Sequence, residues 1–134
     1  MTTPHEIINP PTLPAPSGFS HAVVAAQGRT IYLGGQAAHD ASGTIVGSTI
    51  VEQFAQAAAN VVSALDAAGA RPEHLVSMHI YVTDVALYRD VLPDLALAYR
   101  EHFGRHYPAI ALFEVSGLFD PAALVELVCV AVIA

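Results

Sequence analysis

The chain has 134 residues, a length that suits one domain able to bury about two-thirds of the surface its unfolded form exposes. Hydrophobic residues make up 54% and charged residues 13%; the formal net charge is −7, with five arginines and no lysine. That balance argues against nucleic-acid binding, which needs a basic face to release counterions, and no apolar run free of turn signals reaches the roughly 18–20 residues of a bilayer span.

Residues 1–16 are read as an extended, proline-rich lead-in to a single domain spanning 1–134. Four prolines fall between Asn9 and Pro16, and each removes a backbone donor, so no regular pairing is expected there. The basic-then-apolar pattern of a signal peptide is absent from Met1 to Thr12, and a cytoplasmic location is expected. Ala22–Ala26 and Thr30–Gly34 are strand candidates joined by a tight turn at Gln27-Gly28, which predicts a hairpin. Gly34-Gly35 then lets a backbone or ligand approach closely, and Asp40–Gly43 carries a turn signal.

Thr49–Ala68 is the clearest element. Thr49 with Glu52 has capping-box spacing. Ile50, Phe54, Ala57, Ala58, Val61 and Leu65 recur at helical spacing. Gly69 and Pro72 stop the helix. His74–Val82 reads as a strand, rich in β-branched and aromatic residues in its second half. Asp84 caps a second helix running to about Phe103, within which Pro93 marks a kink or the start of the regular part. Ala109–Val115 and Ala123–Ile133 are apolar strand candidates joined by a turn at Gly117–Pro121.

This order, with a strand–helix–strand crossover in its middle and hairpins at both ends, predicts an α+β fold: one mixed sheet with two helices on one face. The last strand is apolar at both parities, which requires burial on both faces. Two helices cover only one side, so a partner subunit is expected on the other. Cys129 lies within that strand and is expected to be a buried small hydrophobe rather than a nucleophile.

The segments APSGFSHAV (Ala15–Val23), IYLGGQ (Ile31–Gln36), EQFAQAAANVVSALDAAGA (Glu52–Ala70), YVTDV (Tyr81–Val85), AYREHF (Ala98–Phe103), PAIALFEVSGL (Pro108–Leu118) and ALVEL (Ala123–Leu127) resemble the Rid (YjgF-like) family in order and spacing. The resemblance covers nearly the whole chain from Pro14. It implies a chorismate-mutase-like fold, a homotrimer whose sheets pack into a central β-barrel, and small-molecule clefts between subunits. It also implies hydrolysis of reactive enamines and imines. The best-known branch carries an arginine after Pro-Ala in the late strand, where it binds the substrate carboxylate; this chain has Ile110. A tyrosine of the early segment is replaced by Phe19, and a serine before Gly35 by Gly34. An amino-acid-derived imine such as 2-iminopropanoate is thus not the expected substrate.

Glu126 matches the family's late glutamate and is the expected catalytic proton carrier. A carboxyl in an apolar strand suits general acid–base work; otherwise it is an interface glutamate bonded to backbone N–H groups. Phe19, His21, Gly34, Gly35, Ile110, Phe113 and Glu114 are the expected binding residues. His21, where the family carries glutamine, serves a ligand or sits on a surface strand. Phe113 lines a pocket or packs at an interface, and Glu114 faces the cleft or solvent. Arg105 is weighed as a substitute for the missing arginine. The seven histidines show no zinc-type spacing, and no metal or cofactor is expected. Neither Ser17 nor Ser20 lies in a nucleophile elbow. The leading reading is a hydrolase acting on a small C=N or enamine metabolite. The alternative is a non-enzymatic ligand-binding trimer, and an endoribonuclease is disfavoured by the charge.

Overall fold

The computed structural model describes residues 2–134; Met1, the first residue of the lead-in, lies outside them. The described residues form six strands: β1 (Glu6–Ile8), β2 (Ala22–Val24), β3 (Arg29–Tyr32), β4 (Leu75–Val82), β5 (Ala109–Glu114) and β6 (Val125–Ile133). The helices are α1 (Ile50–Ala67), α2 (Val85–Asp90) and α3 (Leu92–Phe103), and a 3-10 turn at Pro72–His74 precedes β4.

Strands β3, β6, β4 and β5 form a four-stranded sheet in that order, and β1 pairs with β2 in a separate two-stranded sheet. The parallel β4–β5 pair, connected through α2 and α3, is the expected crossover. Both expected hairpins are corrected. The partner of β2 is β1, drawn from the lead-in, and β3 pairs with β6 instead. Likewise β5 and β6 are separated by β4, which lies between them. The reason lies in β6, a nine-residue strand apolar at both parities. It is the longest apolar strand and takes a central position, bonding antiparallel to β3 on one edge and β4 on the other.

Helix α1 begins as its sequence directs. The Thr49 side chain accepts the Glu52 N–H, and the Glu52 carboxylate accepts the Thr49 N–H at 3.1 Å. The Ser48 N–H, followed by the Thr49 and Ser48 hydroxyls and the Thr49 N–H, holds the Glu52 carboxyl below its ordinary range. At the other end Gly69 takes the left-handed φ of 81° that the stop requires. The buried stripe of Phe54, Ala57, Ala58, Val61 and Leu65 packs toward α3 and β6. Two polar residues of α1 hold loops. Buried Gln53 donates to the carbonyls of Gly47 and Ala122 and accepts the Leu124 N–H. Asn60 donates to the carbonyls of Ala37 and His39, each at 2.9 Å. The segment after Gly35 is thereby fixed to the helix layer.

The second helical region is two helices. Asp84 caps α2 by accepting the Leu87 N–H, and a break at Val91 lets α3 restart with Pro93 in its first turn, where its missing N–H costs nothing.

Alternation in the sheet separates two faces. Met78, Ile80, Leu127, Cys129 and Ala131 are buried beneath the helices. Burial pushes the Cys129 thiol up to about 12, so it stays protonated and inert. The other face carries Tyr32, His79, Tyr81, Phe113, Val128 and Val130, and among the described residues no helix covers it. Tyr32 is 81% exposed and Phe113 43%. Tyr81 and Phe113 stack with centroids 5.5 Å apart, and His79 packs edge-on to both.

Candidate functional site

The uncovered face ends in a polar corner. Glu126 on β6 lies directly opposite Tyr81 on β4 and is half-buried. Among the described residues no hydrogen-bond donor or cation engages its carboxylate. Beside it the chain leaves β3. Leu33 donates its N–H to the Cys129 carbonyl at 3.1 Å, and Gln36 exchanges bonds with Leu127 at 2.8 Å. Between these anchors the N–H groups of Gly34 and Gly35 take no partner among the described residues. A Cβ on Gly35 would stand 2.6 Å from Glu126 Oε2. The bare glycine is what lets the carboxylate reach the backbone, bringing an acid–base group and two open N–H donors together.

A cavity of about 430 Å³ lies on the other side of the sheet, between α2, α3 and β5. Phe19, Phe54, Tyr88, Leu92, Ile110 and Leu112 make its wall apolar. Phe19 is held there by its neighbour. Ser20 donates its N–H to the Pro108 carbonyl at 3.0 Å and its hydroxyl to the Tyr107 carbonyl at 2.6 Å, so the segment runs along the start of β5. Tyr107 stacks on Tyr99, whose hydroxyl is buried, donates to the His106 carbonyl and has its pKa pushed well up by desolvation.

The expected site residues thus fall into two groups. Gly34, Gly35 and Glu126 share one corner. Phe19 and Ile110 share the cavity. In register, Ile110 stands beside Met78 and Phe113 beside Tyr81, which places Ile110 on the helix face and Phe113 on the uncovered face. Within one chain the sheet lies between the two groups. His21 lines neither. Its Nε2 is 2.7 Å from the Pro14 carbonyl, its N–H donates to Asn9, and its ring packs edge-on to Phe19 at 5.1 Å. Glu114 is a second cap for α2, accepting the Val85 N–H at 3.0 Å. Arg105 lines a different cavity of about 930 Å³ with Thr3, Asn9, Glu73 and His102, and does not line the cavity beside Ile110. Among the described residues no group of three metal-ligating side chains converges.

Arg100 was not anticipated. It lines the apolar cavity from α3. The signal was present in the sequence, since Leu92, Ala96 and Arg100 stand four apart on one helix stripe. Reading it required knowing that this stripe faces β5.

The family model described as Endoribonuclease L-PSP matches residues 11–133. The structure is similar to that of YyfB, a Rid-family protein of unknown function from Yersinia pestis, with a TM-score of 0.86 and 32% identity over 96% of this chain and 98% of that one. In sequence the chain is 33% identical to the 2-iminobutanoate/2-iminopropanoate deaminase of Capra hircus, over 84% of this chain and 79% of the relative. The human deaminase of the same name is 31% identical over 75% and 69%. The chain belongs to the Rid (YjgF-like) family and has its α+β fold.

Proposed function

We propose that this chain is a hydrolase of a small imine or enamine metabolite with an apolar body, acting in a homotrimer whose sheets form a central barrel. What supports this most is the corner where Gly35 makes room for the Glu126 carboxylate beside two open N–H groups. The reaction adds water to C=N. Glu126 takes a proton from the water as its oxygen bonds to carbon, and returns it to nitrogen. Glu126 then takes the carbinolamine hydroxyl proton and passes it to nitrogen as the C–N bond breaks, C=O forms and ammonia leaves. The N–H groups of Gly34 and Gly35 hold the oxygen or nitrogen as charge develops.

The apolar cavity of a second copy, lying against this corner, supplies the substrate's pocket; the separation of the two groups by the sheet supports that arrangement. The related deaminases act on small 2-imino acids, as their name states. Ile110 in the cavity makes 2-iminopropanoate itself a poor fit and favours a larger, more apolar substrate. Net charge −7 disfavours RNA as a substrate.

The test is turnover of a series of imines generated in place by an amino-acid oxidase, followed as ammonia release. Wild type accelerates hydrolysis of imines with larger apolar bodies over 2-iminopropanoate, and Glu126→Gln lowers kcat by about 100-fold or more. Equal rates with wild type and Glu126→Gln across the series would leave the non-enzymatic binding trimer as the account.

A further inference from the structure

The lead-in that carries β1 is fastened to the body by polar side chains where β4 begins. Three successive carbonyls are taken there in turn. That of Glu73 accepts the Thr3 hydroxyl at 2.7 Å, that of His74 accepts the His5 Nε2–H at 2.8 Å, and that of Leu75 accepts the His106 Nε2–H at 2.8 Å. His5 is the central member and is 6% exposed. Its other ring nitrogen, Nδ1, accepts the Ala26 N–H at 3.0 Å. A carbonyl on one side and an N–H on the other admit one form of the ring, neutral with its proton on Nε2. A second proton, on Nδ1, would face the Ala26 N–H, donor against donor. His74 has the same restriction, since its Nδ1 accepts the Arg71 N–H at 2.9 Å. The charged and titratable groups of the elements that meet here are Arg71, Glu73 and His74 around the 3-10 turn, His102, Arg105 and His106 at and just past the end of α3, and Glu6 beside His5 on β1; residues 22–28, which include Ala26, carry none. Burial first, and then the neighbouring His5 and His74, lower the pKa of His106, against the Leu75 carbonyl and Glu73, which raise it.

We infer that the lead-in is an acid-released strap, latched by neutral His5 and let go when that ring gains a second proton. Histidine is the side chain that changes charge between pH 5 and 8, and only the neutral ring satisfies both backbone partners at once. The latch matters because the strap has little else to hold it. Its pairing with β2 extends over three residues, and the side chains of β1 are exposed. Thr3, Ile7 and Asn9 of the strap form one wall of the cavity of about 930 Å³, against Glu73, His102 and His106 of the body. Release opens that wall. Phe19 lines both cavities and stands just before β2, the strand that β1 pairs with, so the strap's position reaches the apolar cavity as well. The latch operates whether or not the chain is a hydrolase.

Nuclear magnetic resonance on the full chain, taken from pH 8 to 5, reads the latch directly. At pH 8 the ring-nitrogen shifts of His5 are those of the neutral Nε2–H form. On acidification the ring takes up its second proton, and the amides of β1, β2 and Ala26 lose protection from hydrogen exchange, after correction for the pH dependence of the intrinsic rate. The loss is about 10- to 100-fold, as expected when a backbone donor is left without its acceptor, and it exceeds the loss at the β4 and β6 amides. His5→Gln, whose side-chain amide donates and accepts without titrating, abolishes the strap's excess loss. His5→Ala leaves the strap unprotected at pH 8 as well, and His106→Gln keeps the excess loss. The wild-type measurements stand without any variant. A doubly protonated or Nδ1–H ring at pH 8, strap protection unchanged at pH 5, or equal losses in strap and core would overturn the inference. So would a strap held as well by alanine, or a response that follows His106 and not His5.

Discussion

At Gly35 a single methyl group decides where a carboxylate sits. A Cβ there meets the far end of the Glu126 side chain and not backbone. The carboxylate, free to rotate, yields at little cost in stability. Gly35→Ala is therefore expected to keep unfolding free energy within about 1 kcal/mol of wild type by urea titration, yet to lower kcat/KM by about 100-fold, the usual loss for a displaced catalytic group. His106 offers a pH test of a different kind. Burial lowers its pKa below the ordinary 6.5, and the Leu75 carbonyl offsets this only partly. The unfolded chain then binds more protons than the folded one as pH falls below 6.5. This contribution to stability is fully present above that value and is lost as pH drops through the lowered folded value. Thermal unfolding from pH 8 to 5 should show that fall in Tm, and His106→Gln should flatten it; an unchanged slope would contradict the assignment. Gly35 and Glu126 were both legible as candidates in the sequence. Their contact was not, because it depends on β6 lying beside the strand that ends before Gly35. Arg100 stayed hidden for the same kind of reason: periodicity names a stripe but not what the stripe faces.

Among the elements, those governed by local chemistry were read correctly. Thr49, Glu52 and Gly69 bound α1, and Asp84 caps α2, because capping bonds lie within a few residues. Pro93 announced the break that separates α2 from α3. Strand pairing was misread where nearest neighbours in sequence were assumed to be neighbours in space. The apolar double parity of β6 already marked it as a central strand, and a central strand displaces hairpin partners on both sides. The short β1 escaped notice because its three residues sit in a stretch otherwise dominated by prolines. Helix α1 also reaches the site through Asn60, whose two bonds to Ala37 and His39 fix the segment following the glycines. Asn60→Ala leaves two carbonyls without this donor and should cost about 1–3 kcal/mol in urea unfolding. It should also raise the exchange rates of the Gly34 to His39 amides. Unchanged exchange there would mean that the sheet alone sets that segment.

For the molecule as a whole, one face of the sheet decides the account. Tyr32, His79, Tyr81, Phe113, Val128 and Val130 form an apolar, aromatic surface uncovered by the chain's own helices. Among the described residues no helix is long and apolar enough to cross a membrane, so a bilayer-spanning helix does not explain it. The proposed homotrimer would cover these faces, and in it the Glu126 corner of one copy would lie toward the Ile110 cavity of the next. Sedimentation velocity at micromolar concentration tests this most directly. The expected result is one species of about three times the 14.0 kDa chain mass, dissociated by Val128→Glu. A stable single-chain particle of 14.0 kDa at that concentration, with the aromatic face in water, would contradict it.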